Sequence, residues 1–347
     1  MSGNEPAREA DQLEEVSLPE QSTQLIGHEE VFSKLAMQTK SGRLPGAVLL
    51  HGPRGIGKAT LAFALAREIL SYTGDEPIER LSEQIASGVH PNIFTLRRQP
   101  RDKGAFYSVI RVEDVRNVQQ RMRQTRGRAG HRICVVDSID DCNKNAANAL
   151  LKILEEPPAE TIFLLVSHRP GSLLPTIRSR CHAYALRNLS DDQVKQVLGN
   201  SGITTKQDNV EQAIRLAMGR PRRALEAIVM DGLGTLATLQ NWLDDTQGQT
   251  SATHLALADD IVKAGGAEEA FARDMIIDWI ANEAKAATSH GSAERIRLAS
   301  ATQLWDKAQN MFADADTYNL DARQTLVSIF DALRQHAHKA ASLAPAG

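Results

Sequence analysis

Cysteine is scarce in this sequence. Its three residues, Cys134, Cys142 and Cys181, are too few and too scattered for a disulfide framework or a four-thiolate zinc site, and they fit a reducing cytoplasm. Aromatic residues are sparse as well, at 4% beside 42% hydrophobic and 24% charged, the balance of an ordinary soluble chain. No apolar run approaches the 18 or more residues of a membrane-spanning helix, which excludes one. The first twenty residues carry six acids against one arginine and lack the basic start and apolar stretch of a signal peptide. Residues 1–20 read as a disordered, solvated acidic tail. A strong net charge is missing too: at −3 the chain exerts no global attraction on nucleic acid.

What is present is size and alternation. At roughly 150 residues per domain, 347 residues make two or three domains. Short β-branched runs recur through the first half: AVLLH (47–51), NIFTL (92–96), RICVVD (132–137), TIFLLV (161–166) and a weaker HAYAL (182–186). They read as buried strands. Helical patterns at 59–70 and 112–123 lie between them, so the expected sheet is mostly parallel. A further helix begins after Asn143, a good N-cap, and stops at Pro157-Pro158. Beyond Leu186 the pattern is helical only, with short segments at 191–198, 208–217 and 221–229, a glycine-marked linker at 232 and 234, and longer amphipathic helices from about 235 to 340. Trp242, Trp279 and Trp305 fall in these helices and read as packing residues rather than base-stacking platforms.

Directly after the first strand stands Gly52-Pro53-Arg54-Gly55-Ile56-Gly57-Lys58-Ala59-Thr60. Glycines let backbone N–H groups close around phosphate oxygens, the following helix start adds positive potential, and Lys58 reaches for the β- and γ-phosphates. The loop lacks one group. Position 59 calls for a Ser or Thr hydroxyl on magnesium and holds Ala59, while Thr60, one residue on, is turned by about 100°. Asp137 ends the third strand where an acid supports magnesium, yet Ser138 follows where hydrolysing P-loop proteins carry a Glu that orients water. Asp140 and Asp141 belong to the next turn and are expected to face solvent. The magnesium site is therefore impaired.

Between Arg97 and Arg132 eleven basic residues meet three acids, a patch that suits either phosphate contact or an ordinary solvated face. His90 before Pro91 reads as a turn or core residue. No recognition motif supports a sequence-specific DNA-binding protein.

Taken together, QLIGHEE (24–30), HGPRGIGKATLA (51–62), GVHPNIF (88–94), VVDSIDDCNKNAANALLKILEEPP (135–158), LLPTIRSRC (173–181) and GRPRRAL (219–225) resemble the AAA+ clamp-loader family of bacterial DNA polymerase III. The resemblance spans nearly all of the chain outside the tail. It implies an α/β fold in which an AAA+ P-loop domain with a parallel sheet (21–186) is followed by a small helical lid (187–231) and an all-α collar (235–342) for oligomerisation. It implies site residues as well. Ser179-Arg180-Cys181 matches the motif whose arginine enters the ATP site of a neighbouring subunit as a finger, Ser167 the sensor of the γ-phosphate, and Arg222 the lid sensor. Gly52, Gly55, Gly57, Lys58, Ala59, Thr60 and Asp137 would form a nucleotide site that is degenerate in part. The implied partners are other clamp-loader subunits in a hetero-pentamer, the sliding clamp, and primer-template DNA reached through the assembly. ATP at Lys58 is left open, and no zinc is expected, because 71–91 lacks the cysteines that some members carry. Two readings stay open: a non-motor subunit that donates Arg180, or an active ATP-hydrolysing subunit, in the loader or in a ring of its own.

Overall fold

The computed structural model describes residues 9–10, 12–13, 16–101, 105–124, 128–230, 233–287 and 292–342. Parts of the acidic tail and of the basic patch, Gly232 of the expected linker, and the last five residues lie outside them. The described chain forms two compact units, one of residues 1–206 with 217–225 and the other of 207–216 with 226–347.

The first unit is built on five strands, β1 (Ala47–His51), β2 (Ile93–Leu96), β3 (Arg132–Asp137), β4 (Thr161–Ser167) and β5 (His182–Ala185). They form a parallel sheet in the order β2-β3-β4-β1-β5. The β-branched runs seen in the sequence are these strands. Central β4 is buried at all seven positions and β1 at four of five, as expected where helices cover both faces. The weaker run, β5, is an edge strand with only Tyr184 partly covered.

Helices α1 (Glu29–Lys40), α2 (Lys58–Thr73), α3 (Ile78–Ala86), α4 (Val112–Arg123), α5 (Lys144–Glu155), α6 (Pro175–Arg178) and α7 (Asp191–Asn200) complete this unit. Asn143 caps α5 as expected, its side chain accepting from the Ala146 amide at 2.9 Å. Helix α2 buries Leu61, Leu65 and Ile69 completely at the i, i+4, i+8 spacing of one helical face. On α4 and α5, Val115, Met122, Leu150 and Ile153 join Phe94, Phe163 and Leu165 of the sheet in one core. His90 is buried, with Nε2 3.0 Å from Glu76, a core histidine as the sequence suggested.

The inner end of the acidic tail is not solvated. Leu18 and Glu20 are buried, Pro19–Gln21 make a 3₁₀ turn, and Arg67 donates to the carbonyls of Glu20 and Ser22 at 3.2 Å. An apolar residue and a half-buried arginine partner, too short a signal to show as periodicity, hold it down.

The second unit is all helical, with α8 (Gln207–Ala217), the end of α9 (Pro221–Val229), α10 (Leu233–Asp244), α11 (Ser251–Ala264), α12 (Gly266–Ala286), α13 (Ser292–Tyr318) and α14 (Ala322–Ser342). Trp242 is buried, its ring centroid 4.7 Å from that of Phe330, and the Trp279 indole donates to the Leu243 carbonyl at 2.9 Å. Both pack as expected. Trp305 does not: on α13 it is 40% exposed, since its helical position turns it outward. No helix among the described residues is long and apolar enough to cross a membrane.

Candidate nucleotide cleft and arginine loop

Strand β1 ends at His51, and the loop that follows turns at Gly52 with φ +152°. A Cβ there would lie 2.4 Å from the Leu186 carbonyl oxygen, so only glycine lets the loop pass under the end of the sheet. Gly55 is set by a different neighbour. Its φ is +82°, an added Cβ would come within 3.0 Å of Arg222 Cβ, and its carbonyl accepts from the Arg222 amide at 3.2 Å. The 217–225 segment thus closes directly on the phosphate loop. Gly57 ends the loop in the left-handed region and precedes α2, whose first turn takes no side-chain cap. Uncapped first-turn amides attract an anion.

The loop opens onto a cleft of ≈ 550 Å³. Gly55, Gly57, Lys58, Ala59, Thr60, Asp137 and Arg222 all line it, so seven of the sequence-derived site residues converge. Gly52 lies beneath, and Ser167, Ser179, Arg180 and Cys181 do not line it. Ser138 and Asp141 do, as do Arg97, Arg98 and His168, which the sequence did not single out for this site.

Lys58 is 3% exposed, and its ammonium turns back on its own loop, donating to the carbonyls of Gly52 at 2.8 Å and Pro53 at 2.5 Å. Burial lowers its pKa to about 7, against the opposing pull of Asp137 and Asp140. Two carbonyls replace part of the lost water. Lys58 and then Arg178 add, after burial, to the lowering of the His51 pKa at the end of β1.

The donor set fits the phosphates of a nucleotide: glycine-turned amides, an uncapped helix start, Lys58 and Arg222. It does not fit a catalytic magnesium ion. Ala59 offers no oxygen, and Ser138 stands beside Asp137 without a carboxylate. One wall of the cleft comes from the N-terminal segment, including Glu9, Leu13, Val16 and Leu18. There Arg97, 8% exposed, sits 3.4 Å from Glu9 and 3.2 Å from Glu20. Desolvation would lower the Arg97 pKa, and Glu20, Glu9 and Asp137 together more than offset it, so the guanidinium stays charged.

Much of the basic patch is engaged in the same way. Arg98 meets Asp141 at 3.6 Å, Arg111 meets Asp114 at 2.8 Å and Arg128 meets Glu76 at 2.7 Å. Arg116, Arg121 and Arg123 of α4 remain exposed. The charge count along the sequence overstates the patch because, Asp114 apart, the acids that pair with it lie outside the 97–132 stretch: Glu9, Glu20, Glu76 and Asp141.

Asp140 departs most from the sequence reading. Instead of facing solvent it accepts three hydrogen bonds from the end of β4: Ser167 Oγ at 3.1 Å, the His168 amide at 2.6 Å and the Arg169 amide at 3.0 Å. A 3₁₀ turn at Ile139–Asp141 swings its carboxylate across the neighbouring strand. Only the pairing of β3 with β4 creates this contact, so no local signal announced it.

Arg180 lies in a separate place, at the turn from α6 into β5. Its side chain is 37% exposed, pairs with Glu155 at the end of α5 at 2.5 Å, and donates to the Thr176 carbonyl at 3.0 Å. Ser179 closes the same turn through Thr176. Burial, the main cause in each case, holds the Cys181 thiol at about 11 and those of Cys134 and Cys142 at about 12. All three stay protonated near neutrality and none is a ready nucleophile.

The family described as DNA polymerase III, delta subunit, matches residues 27–190, the stretch that carries the sheet, the phosphate loop and the arginine turn. The chain is 40% identical over 139 residues to the DNA polymerase III subunit delta' of Pseudomonas aeruginosa, covering 39% of this chain and 41% of that one. It is 32% identical over 212 residues to the subunit delta' of Escherichia coli, covering 60% and 62%. With the gamma/tau subunit of Mycobacterium bovis it shares 29% over 265 residues, covering 73% of this chain and 44% of the relative. The matched stretches thus span less than two thirds of each relative's length. In its parallel P-loop sheet and in these matched stretches the chain is similar to the clamp-loader subunits of DNA polymerase III, the delta' subunits among them.

Proposed function

We propose that the chain is a delta'-like, non-motor subunit of the DNA polymerase III clamp loader. In this reading it joins other clamp-loader subunits in a hetero-pentamer in the cytoplasm, donates Arg180 to a neighbour's ATP site, and helps place the sliding clamp on primer-template DNA during replication. Residues 21–186 serve as the AAA+ domain, 187–231 as lid and 235–342 as collar. ATP held between subunits favours a clamp- and DNA-binding state, and hydrolysis triggered by Arg180 releases it.

The observation that carries this reading is the contrast between the two places on the molecule. The chain's own cleft lacks the magnesium hydroxyl at Ala59 and the acid at Ser138, and its lysine is folded back on the loop carbonyls. Arg180 meanwhile stands partly exposed on a turn outside that cleft. An arginine supplied in trans stabilises charge developing on the γ-phosphate and can contribute ~10³–10⁵ in rate. In the loader reconstituted from its own subunits, Arg180→Ala should sharply lower clamp- and DNA-stimulated ATP hydrolysis while native mass spectrometry still finds the assembly. Undiminished hydrolysis would remove the finger.

The second reading, an active ATPase such as a gamma/tau-like motor or an independent ring, draws on the intact Gly52, Gly55, Gly57 and Lys58 and on the gamma/tau match over 73% of the chain. ATP turnover by the purified chain alone would favour it.

A further inference from the structure

We infer that Asp140 is a positioning residue for Arg180: its carboxylate fixes the start of the segment that carries the finger. The inference rests on the finger reading and extends it to a residue at the other end of that segment.

Strand β4 ends at Ser167, and thirteen residues later comes Arg180. Between them lie a 3₁₀ turn at Pro170–Ser172, the four-residue α6 and a tight turn at Ser179. Such a path has little ladder hydrogen bonding of its own. Two apolar residues, Leu173 and Ile177, anchor its middle in the core. Its outer end is tied by the Arg180 contacts to Glu155 and Thr176. Its start is tied by Asp140, which takes the two successive backbone amides of His168 and Arg169 together with the Ser167 hydroxyl.

Three donors on one carboxylate determine more than attachment. Hydrogen bonds to an ionised acceptor are shorter and stronger than neutral ones, and two adjacent amides aimed at the two oxygens of one group set the direction in which the chain leaves the strand. Ser167 is wholly buried, so its hydroxyl needs a partner, and Asp140 provides it. The same carboxylate also acts on the phosphate loop, being one of the two acids that oppose the lowering of the Lys58 pKa. Asp140 therefore stands between the cleft and the finger segment, held in place by the 3₁₀ turn that follows β3.

The chemistry at the finger is sensitive to such placement. Arg180 must reach a phosphate on another subunit, and a displacement of about 1 Å at a reacting centre can cost ~10²-fold in rate. Loss of Asp140 frees the start of the segment while leaving Arg180 itself and the buried anchors Leu173 and Ile177 unchanged.

The test uses the full chain in the reconstituted loader and compares Asp140→Ala, Asp140→Asn, Arg180→Ala and the Asp140→Ala/Arg180→Ala pair. Clamp- and DNA-stimulated ATP hydrolysis is measured, with native mass spectrometry of each assembly and amide hydrogen exchange on the free subunit. We expect Asp140→Ala to lower kcat by about 10- to 100-fold with KM for ATP unchanged, and Asp140→Asn, which keeps one acceptor oxygen, to fall between it and the parent. The pair should be no worse than Arg180→Ala alone, because a positioning residue acts only through the group it positions. Exchange should quicken at His168 and Arg169 and not within β4. If Arg180→Ala is impaired while both Asp140 variants assemble and turn over normally, the inference about Asp140 fails and the finger stands. An additive loss in the pair would also overturn it, by showing a general structural effect. Full activity of Arg180→Ala would instead sink the finger reading. Should Asp140→Ala fail to assemble, Asp140→Asn and the exchange rates decide.

Discussion

Lys58 shows at the scale of one residue how a cleft is kept ready and yet restrained. An ammonium ion that is 3% exposed keeps only part of its solvation through two carbonyls, so its folded-state pKa falls from the ordinary 10.5 to about 7. The folded chain therefore releases this proton near pH 7, and the unfolded chain holds it to 10.5. Between those values unfolding takes up a proton, so stability rises with pH by up to about 1.4 kcal/mol per unit, and below pH 7 the full penalty of burying the charge applies. We expect urea melts of Lys58→Met to lack this rise between pH 7 and 10, and the substitution to stabilise the chain at pH 7. An equal rise in the variant would assign the effect to another group. Lys58 and its glycines could be read from the sequence because a P-loop is a contiguous pattern. The partners of Arg97 could not, since Glu9 and Glu20 lie 88 and 77 residues away.

At the scale of elements, local signals held where they were dense. The β-branched runs became strands, and Asn143 became the cap of α5. Replacing Asn143 by Ala removes the acceptor of the Ala146 amide and should cost about 1 kcal/mol, read as a lowered denaturation midpoint with unchanged m-value. In the helical unit, Phe330 is fully buried against Trp242, and Phe330→Ala should cost about 3–5 kcal/mol, visible as a shifted transition in tryptophan fluorescence. A loss below 1 kcal/mol would mean that the neighbours collapse into the space. Helix α3 (Ile78–Ala86) had no counterpart in the sequence reading. Its nine residues bury only Leu81 and Ile85, too few for periodicity to stand out from the loop around it.

For the molecule as a whole, the two units and the exposed Arg180 turn frame the expectation. Complexes purified through a tag on this chain from its own cells should contain one copy among five subunits by native mass spectrometry. A homo-oligomer would favour the ATPase reading and make turnover at Lys58 the next measurement. The division between the units follows contacts, not composition. Residues 217–225 belong with the sheet and 207–216 with the helices, although both fall within one helical stretch of sequence, because the loop at Gly55 receives the Arg222 amide.

The sequence alone determined the features that depend on neighbours along the chain. These are the strand runs, the phosphate loop, the helix cap, and the missing hydroxyl and carboxylate at Ala59 and Ser138, each written within a few consecutive residues. Tertiary structure decided what depends on distant groups meeting: that Asp140 turns inward to hold the end of β4, that Glu155 pairs with Arg180, and that the acidic segment forms a wall of the cleft. The physical reason is the same in each case. A charged side chain takes its place from the donors and charges that the fold brings to it, and the order of the sheet, β2-β3-β4-β1-β5, brings together strands that are far apart along the chain.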